Sequence, residues 1–469
     1  MILTDNILLE IFDLYRHTHD DTLWEWYVLV HVCRRWRQIV FESPRRLDLK
    51  IRCTIKTPVE NLSIWPPFPI AIDFRCTLFD YISNDAIAAF VDTGRVSYLK
   101  LDLAYCNMKT WLIMASKPFP ALTHLIIRIP VENALACPLP DDFWGESARY
   151  LQIIHLDNIA IPALQRLLLS ASHLVELQLH FIASYSFINC NIILPEAMAI
   201  CLAQLPRLKT LVLQFCMGFP PPGPIHPSPV TVTRIVLPAL TDFEFTGTSK
   251  YLEDFVAQID CPQLDQIKIS YQMGPTEFQV AQLIKFFSRS ISPFRHAKIC
   301  LDARSTIFNL YPPPNCTGWD SRHPATTVIS CSEIANTWYF SPMLDELLSV
   351  LLLTVVHLKF VGRSDVTVSL RDEYNPDWLH FLRQPSALQA IYASPAFAGK
   401  IGRALKSVKG EVVAEALPYL DLICLEGQAS YLEELVAVRQ VSGCPFTVVS
   451  TEAEFDQRLG EKLMMTDDQ

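Results

Sequence analysis

Two periodicities divide this chain. Near its start apolar side chains recur at helical spacing, and beyond about residue 90 they recur in short runs of strand period with helix-like pieces between them. Leu8, Ile11, Phe12 and Tyr15 stand at i, i+3, i+4 and i+7, which predicts a helix over 5–15 with one apolar face and Thr4 or Asp5 as its cap. Leu29, Val32, Cys33, Trp36 and Val40 repeat that spacing with Arg34, Arg35 and Arg37 on the other side, and Leu23, Trp26 and Val30 predict a middle helix over 22–30. Three helices in about forty residues are too few to stabilise themselves through their own core, so this head needs a surface to pack against.

Further along, runs of the form L-x-x-L-x-L begin at 96 (VSYLKL), 122 (LTHLII), 151 (LQIIHL), 174 (LVELQL), 208 (LKTLVL), 240 (LTDFEF) and 264 (LDQIKI). Those starts lie 23 to 34 residues apart, a leucine-rich-repeat period with insertions. Fainter copies stand at 355–360 (VVHLKF) and 420–425 (LDLICL). Alternate side chains of a strand share a face. Leu99, Leu101, Leu125, Ile127, Ile154, Leu156, Leu177, Leu179, Leu211, Leu213, Phe243, Phe245, Ile267 and Ile269 are therefore expected inside. The residues between them should face out on the concave side as candidate substrate-binding positions: Lys100, Asp102, His124, Arg128, His155, Asp157, Glu176, Gln178, His180, Gln214, Asp242, Glu244 and Lys268. Helix-like stretches at 163–171, 195–205, 250–259 and 277–290 complete a strand, turn, helix, turn coil. Ordinary βα alternation is the competing reading, because the Asn or Cys usual at the ninth repeat position is met clearly only by Cys216.

In the head, Leu3, Asp5, Leu8, Leu9, Ile11 and Phe12, followed by VCRRW at 32–36, resemble the most specific positions of the F-box. The longer wording LVHVCRRWRQIVFESPRRLDLKI is similar to the F-box proteins that basidiomycete fungi carry in large numbers. The resemblance covers 1–50, with two departures: Thr4 stands where the family usually has proline, and residues 17–24 lengthen the first linker. It implies a domain that binds the Skp-type adaptor of a cullin–RING (SCF) ubiquitin ligase, with Leu3, Thr4, Leu8, Ile11, Phe12, Val32, Cys33 and Trp36 as adaptor-binding residues. The rest of the chain would then hold a protein substrate.

The expected fold class is α/β: an N-terminal three-helix F-box followed by a leucine-rich-repeat-like solenoid with parallel strands on its concave face. The expected organisation is the F-box at 1–50, a connecting segment at 51–92, the solenoid at 93–302, an irregular insertion at 303–342 carrying YPPPNC and GWDSRHP, and degenerate repeats with a cap at 343–469. In that last part 376–384 and 429–440 read as helices and 445–450 as a strand. The proline-rich stretch at 219–229 can be neither helix nor central strand, and an exposed polyproline ligand for an SH3 or WW module is its functional reading.

Composition narrows the chemistry. A chain of 469 residues that is 50% hydrophobic and 19% charged can bury a large core, and a net charge of −10 argues against broad nucleic-acid binding. Fourteen cysteines without a C-x-x-C pair point to a reducing compartment. The start lacks a basic n-region and the longest apolar stretch, 347–358, is too short to span a bilayer, so the chain reads as soluble, intracellular, in cytoplasm or nucleus, without membrane contact. No phosphate-binding glycine loop, nucleophile elbow or H-E-x-x-H occurs, so no catalysis and no cofactor are expected. His124, His155 and His180 lie on nearby rungs, but strands about 4.8 Å apart with no carboxylate spacing to complete a ligand set argue against a metal. The function expected is that of a substrate-recognition subunit of an SCF-type ubiquitin ligase. A non-catalytic repeat scaffold using its head only for assembly is the alternative, and a hydrolase with a helical cap is a remoter third.

Overall fold

The computed structural model describes residues 3–17, 26–54, 66–75, 94–102, 118–128, 148–158, 164–181, 193–215, 234–271, 280–290, 294–301, 305–311, 327–332, 350–362, 382, 385, 387–406, 417–441 and 445–466. The fold is mixed α/β with mostly parallel sheet. The chain divides into two compact units, Met1–Leu208 and Lys209–Gln469, and that boundary falls inside the stretch 93–302 read above as one run.

The first unit opens with α1 (Asp5–His17), α2 (Trp26–Val32) and α3 (Arg34–Glu42). The last two had been expected to meet near Val30, but helix continues to Val32 and breaks at Cys33. That residue is extended (φ −157°, ψ 170°), and its Sγ accepts the Trp36 amide at 3.4 Å, capping α3. Residues 22–25 of the predicted middle helix lie outside the described residues. Leu8, Phe12, Leu29, Val30, Ile39 and Val40 form the inner face of the head, and their cluster continues into Leu47, Leu49, Ile51 and Phe68. The head thus finds its missing core in the chain that follows it. Trp26 Nε1 donates to the Lys50 carbonyl at 3.1 Å, fixing that junction.

Six strands follow: β1 (Ile51–Cys53), β2 (Ile70–Arg75), β3 (Val96–Asp102), β4 (His124–Arg128), β5 (Ile153–Asp157) and β6 (Glu176–Phe181). Each pairs in parallel with the next in chain order. Two helices, α4 (Leu164–Ser170) and α5 (Pro195–Leu202), lie where helix-like stretches were read. Ahead of the strands a backbone ladder repeats from coil to coil: Thr123 N donates to Ser97 O, Gln152 N to Thr123 O and Val175 N to Gln152 O, at 2.8–2.9 Å. This aligns Leu122, Leu151 and Leu174, the first leucines of their runs, as equivalent buried plugs.

In the second unit β7 (Thr210–Phe215), β9 (Asp242–Gly247) and β11 (Gln266–Tyr271) run parallel and in order, while β8 (Ile235–Val236) and β10 (Ile259–Asp260) form a separate small pair. The sequential order then breaks. β12 (His296–Leu301), β13 (Ser305–Tyr311) and β14 (Thr327–Ser332) stand in reverse, β11 pairing with β14 and β12 with β15 (His357–Gly362). The segment 303–342, expected to be irregular, therefore supplies two strands, with β13 antiparallel to both neighbours. They take the edges that β11 and β12 would otherwise offer each other, since an open edge needs a hydrogen-bonding partner. Tyr311, the first residue of YPPPNC, closes β13, while 312–316 and GWDSRHP lie outside the described residues, as does the proline-rich stretch 219–229. Beyond β15, β16 (Ala390–Ala393), β17 (Leu422–Leu425) and β18 (Thr447–Val449) continue in parallel.

Helices α6 (Ser249–Val256), α7 (Ala281–Ser290), α8 (Pro395–Lys406), α9 (Glu433–Val441) and α10 (Glu452–Thr466) complete this unit. Two buried charges tie it together. Glu253 of α6 accepts the Gln282 and Leu283 amides at 2.7 and 2.8 Å, satisfying the start of α7. Arg439 of α9 donates to the carbonyls of Leu417 and Leu420 at 2.7 and 3.0 Å ahead of β17.

All fourteen side chains predicted inside, from Leu99 to Ile269, are no more than 2% exposed. At about 25 cal/mol per Å² of apolar surface removed from water, burial of these rows stabilises both units.

Candidate functional site

Two surfaces carry the residues singled out from sequence. On the head, Leu8 and Phe12 do not face outward as an adaptor-binding role would ask. Both are interior, and Trp36 is partly buried with its ring edge-on to Phe12 at 4.8 Å. The physical reason is that Leu8 and Phe12 close the head's core against Leu29, Val30, Ile39 and Val40 and against the chain that follows. The outward apolar set is instead Leu3, Ile7, Ile11, Leu14 and Tyr15 on and before α1, with Tyr27, Val28 and Val32 on α2. Ile7, Ile11 and Leu14 stand at i, i+4 and i+7 and form a stripe along α1. Exposed Cys33 lies at the neighbouring helix break, and Thr4 is exposed at the start of α1, where its carbonyl accepts the Leu8 amide. Arg35 joins the two ends through Asp5 Oδ1 at 2.5 Å and the Leu3 carbonyl at 2.6 Å. Ile7, Leu14, Tyr27 and Val28 were missed from sequence, although the helical phase opposite Leu8 and Phe12 would have found the first two.

The second surface is the outward face of the strands. In the first unit the register aligns His124 with Ile153 and Glu176, Lys100 with Ile126, His155 and Gln178, and Asp102 with Arg128, Asp157 and His180. The side chains bond along and between these rows. Glu176 Oε1 meets His155 Nε2 at 2.8 Å and accepts from Gln178 Nε2 at 2.6 Å. Asp157 is held by Arg128 Nε at 3.0 Å and by His180 Nδ1 at 2.9 Å. Burial lowers the pKa of His155 from its ordinary value against the opposing pull of Glu176, so at neutral pH an uncharged ring donates to the carboxylate. His124 is lowered by burial and then by Lys50; with the Thr123 hydroxyl donating to Ser97 O, its Nδ1 donates to that hydroxyl at 2.8 Å.

The second unit carries its own polar rows. Gln214 Nε2 donates to Glu244 Oε1 at 3.0 Å, Lys268 Nζ lies 3.6 Å from Glu244 Oε2, and Asp242 sits half-buried at the start of β9. Pairs this exposed contribute at most about 1 kcal/mol each, so the rows organise a surface more than they stabilise the fold. Both faces are hydrogen-bonding and of mixed charge.

His124, His155 and His180 fall on different rungs, and among the described residues no group of three or more His, Cys, Asp or Glu side chains could hold a metal ion. Buried thiols are uncharged: burial pushes Cys53 up to about 11 and Cys424 up to about 12. No described helix is long and apolar enough to cross a membrane. No protein-family model matches the chain, and no curated protein matches it.

Proposed function

We propose that this chain is a substrate-recognition subunit of an SCF-type ubiquitin ligase, its three-helix head acting as an F-box that docks a Skp-type adaptor and its strands holding a protein substrate. One observation carries the reading. A head whose inner core is already filled still leaves Leu3, Ile7, Ile11, Leu14, Val28 and Val32 in solvent beside the motif that resembles the F-box. Exposed apolar stripes of this kind mark protein interfaces. The chain itself catalyses nothing in this reading; tethering a substrate beside a conjugating enzyme raises its effective concentration. The curved solenoid of leucine-rich-repeat type belongs to the same proposal, supported by the parallel chain-order pairing of β1 to β6 and by the repeating backbone ladder.

Co-purification with adaptor and cullin separates this reading from a scaffold that never enters a ligase. The structure also improves the choice of variant. Phe12→Ala and Trp36→Ala should abolish adaptor capture, but a buried Phe lost from a core costs about 3–5 kcal/mol and can unfold the head. Ile11→Asp with Val32→Asp changes only exposed positions. The double variant should keep the helical circular dichroism of the wild type and lose adaptor and cullin from the pull-down; full retention of both would end the F-box reading.

A further inference from the structure

The outward face that carries Glu244 and Lys268 does not stay open across the second unit. Cross-strand register defines one row on that face: Val212, Glu244, Lys268, Val328, Asn309, Lys298, Lys359, Tyr392, Cys424 and Val449. At Glu244 and Lys268 the row is polar and partly solvated; from Lys359 onward it lies beneath α10. Phe455 and Leu459 of that helix enter a trough made by Ala390, Tyr392, Leu422, Cys424 and Val449, with Val361 at its rim. Helices α8 and α10 therefore take opposite faces of these strands, for Phe397 of α8 packs on Phe360, which alternates with Lys359.

The trough has a charge at its mouth. Lys359 is only 5% exposed in its side chain, and the carboxylates that hold it, Glu452 Oε1 at 3.2 Å and Asp456 Oδ1 at 2.5 Å, both belong to α10. Its ammonium also stands 5.5 Å from the ring of Tyr392 and 5.7 Å from that of Phe455. Cation, rings and apolar floor together select a helix bearing Glu, Phe, Asp and Leu at i, i+3, i+4 and i+7, the spacing of Glu452, Phe455, Asp456 and Leu459. Ala453, Glu454, Gln457, Arg458 and Glu461 are exposed, so the described part of α10, through Glu461, is held through one face.

We infer that the Lys359–Tyr392–Cys424 trough is a receptor for acidic amphipathic helices, that α10 is its resident occupant, and that a partner helix of the form E-x-x-F-D-x-x-L displaces it. This deepens the substrate-receptor reading and takes from it only that the strand face is where a protein partner binds. Displacement would join the trough to the open polar rows beside it and lengthen the surface available to that partner.

The test uses the full chain and a fluorescein-labelled peptide of residues 450–466, read by fluorescence anisotropy. Phe455→Ala with Leu459→Ala loosens the resident helix, and this variant should bind the peptide at least about tenfold more tightly than the wild type, where the trough is occupied. Adding Lys359→Gln should reverse the gain, and a peptide with its two docking acids replaced by amides should not bind. A folded double variant that ignores the peptide, or takes a scrambled one equally well, overturns the inference. Should the double variant lose its circular dichroism, hydrogen exchange of the wild type decides. Amides of α10 should exchange at least about tenfold faster than those of β16 and β17; equal rates would mean a fixed core helix and overturn the inference. Adaptor capture by the head is measured in parallel, so failure of the trough and failure of the ligase reading are told apart.

Discussion

Strands β5 and β17 are built by the same rule and end in opposite surroundings. In β5 buried Ile154 and Leu156 alternate with half-buried Ile153, His155 and Asp157, whereas Leu422 to Leu425 of β17 are buried at every position. Both have parallel neighbours and both turn aliphatic side chains inward. What differs is the other parity. His155 and Asp157 in β5 keep a hydrated face, while Leu422 and Cys424 in β17, continued by Tyr392 in β16, form an apolar floor that a helix covers. Strands buried on both faces lose the alternation of half-buried ones. A surface is thus left half-open, or covered from within, by the choice of residue at alternate positions of an otherwise constant ladder.

The largest effect that would sharpen this contrast is on stability. Leu156→Ala in β5 and both Leu422→Ala and Ile423→Ala in β17 should each cost about 2–5 kcal/mol, while His155→Ala should cost less than about 1 kcal/mol. Urea midpoints of the four variants measure it; a tolerant Leu422 would break the claim that β17 is covered on both sides.

Histidines draw the same line. On the open face Glu176 supports His155, but in the second unit His296 and His357 meet Nδ1 to Nδ1 at 2.8 Å, both buried, and burial with the nearby Arg295 lowers His296 to about 4. Its folded value lies below the unfolded 6.5, so the native state binds fewer protons between these limits. Stability present above pH 6.5 should fall as pH drops toward 4, by on the order of 2–3 kcal/mol. His296→Asn should flatten that slope in urea melts taken across the window, and an unchanged slope would remove the buried pair as its cause.

A smaller effect is expected on the open face. Arg128→Ala breaks an exposed contact with Asp157 and should shift stability by less than about 1 kcal/mol. Under the proposed function, Glu176→Lys, Asp242→Lys and Glu244→Lys together should lose the substrate in proximity labelling and keep the adaptor. An unchanged substrate list would move recognition off these rows.

Much of the fold could be read in advance because two periods alternate along the chain, and the inward residues from Leu99 to Ile269 follow from strand phase alone. The misreadings have physical causes. Alternation disappears where both faces are buried, which hid β16, with Ala390 and Tyr392 outward and Ile391 and Ala393 inward. Polar and proline-rich flanks disguised β13 and β14. Among the described side chains of helix α10 Phe455 and Leu459 are the deeply buried anchors, too few to announce it, though Thr451 capping the Glu454 amide at 3.3 Å, with Glu454 returning to the Ser450 amide at 3.1 Å, was a usable start signal. Lys359 reads as an ordinary outward lysine, since the acids that pair with it arrive on α10, Glu452 from 93 residues away. On the head, the helical phase located the apolar faces, but which face is consumed inside depended on Leu47, Leu49, Ile51 and Phe68.

The central claim is that the head docks a Skp-type adaptor through its solvent-facing apolar stripe while the strand rows remain free for another partner. Hydrogen exchange of the full chain with and without purified adaptor tests it most directly. Adaptor should protect amides in Asp5–His17 and Trp26–Val32 and leave those of His124–Arg128, Ile153–Asp157 and Asp242–Gly247 unchanged. No protection in the head, or protection confined to the strands, would contradict it.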